Sequence, residues 1–177
     1  MLTVISGSEH RQAAAARSRF PERRLHLVDI ENLAGAPIPS LGRIREVQGL
    51  YAECLPFGAA DQVVIASSHL TLLNAALGWP HARYRVRSGP DGADRELLDV
   101  LFCENIAARF THLAIGSGDG AFASAAASLA AAGVWVTAVS RRRSLSPRLA
   151  LAACEVLYLD ALQPVTAAVS GPTPEAA

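Results

Sequence analysis

Lysine is missing from this sequence altogether. All 16 basic residues are arginine, and 16 acidic residues cancel them to a formal net charge of zero. The absence excludes a P-loop, whose lysine reaches the terminal phosphates of a nucleotide, and the zero sum argues against a generic polycation that coats nucleic acid. Cysteine is scarce too. Cys54, Cys103 and Cys154 lie far apart, form no CxxC pair and are odd in number, which excludes a zinc ribbon or a disulfide framework and points to free buried thiols in a reducing, cytoplasmic compartment. Charged residues make up only 18% against 51% hydrophobic, so global disorder is excluded. No signal-peptide pattern opens the chain, because the apolar stretch Met1–Ile5 is too short for a hydrophobic region. Residues 120–140 carry no charge, but Ala and Ser dominate them and Gly133 divides them. They read as a buried helix and a buried strand, not as a membrane span.

What is present is an alternation of strand and helix patterns. With 177 residues the chain favours one domain, long enough to bury about 70% of its unfolded surface without staples. Residues 25–30 are an apolar run ending in an acid, the profile of a parallel strand buried on both faces. Residues 34–39 hold Gly and two prolines and read as loop. Ser40 is placed to cap a helix to about Cys54, with Leu41, Ile44, Val47 and Leu50 at helical spacing. Strands follow at 61–67, 82–88, 112–119, 134–140 and 155–160, with helices over 70–77, 94–108, 122–132 and 147–153. The 82–88 segment alternates Arg with Tyr and Val, so it belongs near a sheet edge. The expected architecture is therefore α/β: a mostly parallel sheet with helices on both faces, in three layers, over residues 24–162. A flexible arm at 1–23 and a disordered tail at 163–177 flank it.

The zero net charge hides local segregation. Arg83, Arg85 and Arg87 form one basic group and Arg141, Arg142 and Arg143 another, while acids concentrate around Asp29, Asp94 and Asp119. In open parallel sheets, ligands bind beyond the carboxyl ends of the strands. Asp29 closes the first strand, Asp119 follows the fourth, and Asp94 opens the helix after the third. Three carboxylates drawn to one rim repel each other, and a divalent cation is the simplest reason to gather them, although each alone also fits a helix cap. The five histidines form no spaced ligand pair, and structural roles are expected of them. Gly116-Ser117-Gly118 does not complete a GxGxxG after the first strand, which argues against dinucleotide binding.

The segments Val28-Asp29-Ile30-Glu31-Asn32-Leu33, Gly92-Ala93-Asp94 and Ser117-Gly118-Asp119-Gly120-Ala121-Phe122 together resemble the NYN domain, a branch of the PIN-like ribonuclease superfamily. Gly133 and Ser144-Leu145 add to the likeness, which covers about residues 25–160. The resemblance implies a PIN-like (Rossmannoid) sheet and a metal-dependent ribonuclease that cleaves RNA with Mg²⁺ or Mn²⁺ and leaves 5′-phosphate and 3′-hydroxyl ends. Asp29, Asp94 and Asp119 would then be the metal carboxylates, Asn32 would steady the site, and Ser117 would orient Asp119. Arg141, Arg142 and Arg143, following the fifth strand on the same rim, are the expected RNA phosphate contacts. The chain departs from the family pattern at Ala121, where a second Asp is usual, and at Cys154, where an acid is usual. Asp99 is too far around its helix from Asp94 to compensate. The departure at Ala121 carries the alternative reading, a non-catalytic RNA-binding or regulatory module. RNA is the expected partner, no membrane is, and a homo-oligomer is left open.

Overall fold

Strands β1 (Arg24–Asp29), β2 (Gln62–Ser67), β3 (Arg83–Val86), β4 (His112–Gly116), β5 (Trp135–Ser140) and β6 (Glu155–Tyr158) form one sheet in a computed structural model of the chain. Each neighbouring pair is parallel and the order is β3-β2-β1-β4-β5-β6. The structure describes residues 22–161. The expected tail at 163–177, and the expected arm apart from Glu22 and Arg23, lie outside the described residues.

The helices divide between the two faces. On one face lie α1 (Ile30–Ala34), α2 (Leu41–Cys54) and α3 (Leu72–Gly78), and on the other α4 (Gly92–Cys103), α5 (Ile106–Arg109), α6 (Ala123–Ala131) and α7 (Pro147–Ala152). Successive strand residues point to opposite faces. Leu25, Leu27, Leu113 and Ile115 therefore pack under Leu97, Leu101 and Phe122, while Val28, Ile65, Ala114 and Val139 pack under Ile44, Val47 and Tyr51. This is the expected α/β layering, with the parallel rule holding throughout the sheet. β3 does sit at an edge. Among the described residues, no helix is long and apolar enough to cross a membrane.

Three local readings differ from the structure. The end of the first strand turns directly into a helix, α1, because Asp29 caps it. The single helix expected over 94–108 starts earlier and is broken into α4 and α5 at Glu104 and Asn105. Asn105 takes a left-handed φ of 48°, which Asn tolerates, and the Glu104 side chain is drawn off to accept from Arg83 and Arg109. The free cysteines are not fully buried: Cys103, at the end of α4, is exposed, and Cys54 and Cys154 are half-buried.

The chain winds β1-β2-β3 in one direction, then returns to place β4 on the other side of β1. The carboxyl ends of β1 and β4 are thus neighbours at the point where the winding reverses, and a crevice opens there in doubly wound sheets.

Candidate functional site

Asp29 is the last residue of β1 and the N-cap of α1. Its Oδ1 accepts from the backbone N–H groups of Glu31 and Asn32, at 3.1 and 3.0 Å. The side chain belongs to the buried sheet rim, only 6% exposed. Burial pushes its pKa up to about 7; the bonds from Asn32 and Glu31 pull it down, and the charges of Asp94 and Glu31 raise it further. Asp94 lies in the first turn of α4. Its pKa is pushed up to about 6, first by burial, then by the charges of Asp119 and Asp91, with the Asp29 carboxyl as an opposing hydrogen-bond partner. Burial and like charge thus disfavour both carboxyls being ionised at once. Oδ1 of Asp94 is buried without a hydrogen-bond partner.

These two carboxyls lie in the wall of a cleft of about 360 Å³, together with Glu31, Asn32, Arg87 and Asp91. The volume falls within the range of small-ligand sites. Glu31 is partly engaged, since its Oε1 accepts from the backbone N–H of Ser68 at 2.9 Å. Asp119 stands differently. It raises the pKa of Asp94 by its charge, but it does not line the cleft, and its Oδ1 accepts from Ala121 N at 2.7 Å, capping the 3₁₀ turn Gly120–Phe122. Among the described residues, no three His, Cys, Asp or Glu side chains are grouped so that they could hold a metal ion. The structure brings Asp29 and Asp94 together and leaves Asp119 beside them, occupied as a cap.

The other expected residues hold the rim in register. Asn32 Oδ1 accepts from Gly118 N at 3.0 Å, tying α1 to the turn after β4. The fully buried Ser117 accepts at Oγ from Asp119 N at 3.2 Å, so it orients the Asp119 backbone. A Cβ on Gly118 would come within 2.1 Å of the Ser144 carbonyl, and Ser146 N donates to Gly118 O at 2.8 Å. The 117–119 turn is thus pressed against the segment after β5, and only glycine fits there.

The arginine triplet divides. Arg141 donates from Nη2 to Ala34 O at 2.9 Å, at the end of α1, and Arg43 donates from Nε to the same carbonyl at 3.2 Å. The guanidinium of Arg142 lies 4.3 Å from the ring centroid of Tyr158, and its backbone N–H donates to Asp160. Arg143 is exposed. Asp99 is exposed on α4, and Glu155 accepts from Thr137 Oγ1 at the other end of the sheet. His26 sits in the core between the Tyr51 hydroxyl and Asp61, at 3.0 and 3.2 Å, a structural role.

The sequence reading did not single out Glu31, Asp91 or Arg87 as site residues. Each had a signal: Glu31 and Asp91 are near chain neighbours of Asp29 and Asp94, and Arg87 follows the carboxyl end of β3. A hard divalent cation suits this donor set of carboxylate oxygens. The unpartnered Asp94 oxygen and the mutual repulsion of the pair are what such a cation would relieve.

No family model matches the chain, and no curated protein matches it. Among solved structures, a protein of unknown function from Vibrio parahaemolyticus RIMD 2210633 is similar, with 15% sequence identity and a TM-score of 0.54 over 81% of this chain and 96% of that one. At this identity the likeness shows the fold alone.

Proposed function

We propose that the chain is a metal-dependent ribonuclease that hydrolyses RNA phosphodiester bonds at the rim where β1 and β4 end. One observation carries the reading: Asp29 and Asp94, from distant parts of the chain, line one cleft at the sheet rim, both with raised pKa values and Asp94 with a buried, unpartnered oxygen. The motif resemblance to NYN domains agrees with it.

Asp29 and Asp94 would hold Mg²⁺ or Mn²⁺, with Asp119 as the third carboxylate once it leaves its cap. The cation would supply an acidified water at neutral pH and offset the charge that builds on phosphorus. The chain's own residues do the rest. Asp29 keeps its cap to α1 through Oδ1, so its carboxyl stays fixed in direction. Both carboxyls hold their protons more tightly than usual, so a cation would compete with protons for them and its occupancy would fall as pH drops through 7 to 6. Asn32 fixes the distance between the β1 and β4 ends through Gly118. Ser117 holds the Asp119 backbone.

A second reading has its own observation. Ala121 stands where the resembled family has an acid, and Asp119 is engaged as a cap, which favours an RNA-binding module without catalysis. Cleavage of a 5′-labelled single-stranded RNA in Mn²⁺ separates the two. The ribonuclease reading expects slow cutting by the wild type, loss in Asp94→Asn and acceleration in Ala121→Asp. If all three are equally inert, the nuclease reading fails and the binding reading replaces it.

A further inference from the structure

Arg87, in the wall of the cleft, belongs with Arg83 and Arg85 to a basic group that the proposed hydrolysis does not use. Arg87 follows β3 directly, and its backbone N–H donates to Ser67 O at 3.1 Å, extending the sheet pairing to the rim. Arg87 is one of the residues lining the cleft that also holds Asp29 and Asp94. Glu96 of α4 clamps it: Oε1 lies 3.2 Å from Arg87 Nε, while Oε2 accepts from Arg85 Nε at 2.8 Å. Each arginine meets Glu96 through Nε, which leaves the terminal amino groups of Arg87 for an anion. Its side chain is 46% exposed, against 12% for Glu96.

Backbone packing also sets Arg87 in register with the start of α4. A Cβ on Gly92 would come within 2.3 Å of the Arg87 carbonyl oxygen, so the first residue of α4 is packed directly on the Arg87 backbone, two positions before Asp94. Arg87 thus offers a guanidinium, ion-paired to Glu96, at the cleft that Asp29 and Asp94 also line. A guanidinium fork matches a phosphate better than a point charge does. The opposite side of the rim offers less: Arg141 is spent on Ala34 O and Arg142 is stacked on Tyr158. No aromatic side chain lines the cleft among the described residues. A nucleotide there would be held by its phosphate and not by base stacking.

We propose that Arg87, positioned by Glu96, binds a backbone phosphate of single-stranded RNA in this cleft, so that the strand crosses the rim on the β2-β3 side and is read without base preference. The proposal rests on the ribonuclease reading above.

The test is fluorescence anisotropy of a labelled single-stranded RNA across a salt series, with the full chain as wild type, Arg87→Ala, Arg87→Lys and the double variant Arg142→Ala/Arg143→Ala. The Mn²⁺-induced melting shift of each is measured in parallel. Arg87→Ala should weaken binding about tenfold, as expected for one charge-assisted contact, and reduce the salt slope by about one. The loss should be similar for two RNAs of different sequence. Arg87→Lys should recover part of it, the double variant should change affinity less than twofold, and the Mn²⁺ shift should be unchanged in all. Wild-type RNA binding and cleavage with Arg87→Ala indistinguishable from it, or with the double variant losing more, overturns the inference and leaves the nuclease reading standing. A wild type that neither binds nor cuts RNA overturns both.

Discussion

At Asp29 three demands fall on one carboxyl group: it caps α1, it is buried, and it faces Asp94. The cap needs only an acceptor oxygen, which Asn supplies as well as Asp, whereas the charge has no cationic partner among the described residues. A carboxyl whose folded pKa lies above its unfolded one binds its proton more tightly when folded. The stability this gives is present below about pH 4 and is lost as pH rises through 6 to 7. Asp29→Asn should therefore raise the cation-free melting temperature at pH 8 by roughly 5 °C, or about 2 kcal/mol, and leave it nearly unchanged at pH 4. Thermal melts at the two pH values in chelator check this. His26 works in the opposite direction. Burial outweighs its bond to Asp61 and pushes its pKa down to about 4, so its contribution is whole above about 6.5 and is lost as pH falls toward 4. In Asp29→Asn the acid-side loss of stability should accordingly be steeper than in wild type. Tyr51→Phe leaves His26 Nδ1 without its partner in the core and should cost about 1–2 kcal/mol in urea denaturation.

Among the elements, α1 decides how well the site is held, and it is only five residues long. A helix this short has no stability of its own and is fastened at three points: Asp29 at its start, Asn32 to Gly118, and Arg141 with Arg43 at the Ala34 carbonyl. Arg141→Ala should lower stability by about 1 kcal/mol, while Arg143→Ala, on an exposed position, should stay within about 0.5 kcal/mol of wild type; urea midpoints distinguish them. The same element marks where sequence reading succeeds and stops. β1 and its terminal acid are legible because a doubly buried parallel strand is a continuous apolar run. The cap is legible only as an alternative, because the same Asp can end a strand or begin a helix, and its bonds to the Glu31 and Asn32 amides form only once the chain turns there. The arginine triplet looks like a phosphate tract in one dimension. Arg141 is drawn instead to a carbonyl 107 residues away, which no local pattern encodes. Arg87 sits among alternating charges that read as an edge strand's solvated face, and its place beside Asp94 depends on how α4 packs back against β3.

For the whole molecule, a net charge of zero is no obstacle to a polyanionic partner, because charge is segregated along the rim: carboxyls at the β1-β4 switch point, a clamped guanidinium beside β3. The sheet order sets that arrangement; alternating elements lead one to expect a parallel sheet, but its strand order is seen only in the fold. On the proposed reading, an alanine at position 121 instead of a second acid should weaken a cation's hold and favour Mn²⁺ over Mg²⁺, which demands near-ideal geometry. The wild-type melting temperature should therefore rise more in Mn²⁺ than in equal Mg²⁺, with most of the rise lost in Asp94→Asn. The central claim is that the Asp29–Asp94 pair exists to hold a divalent cation, and diffraction from crystals soaked in Mn²⁺ at pH 8 tests it most directly. The account predicts an anomalous peak in contact with both carboxylates, with Asp119 swung toward it off the Ala121 amide. A cleft with no anomalous peak at Asp29 and Asp94 would contradict it.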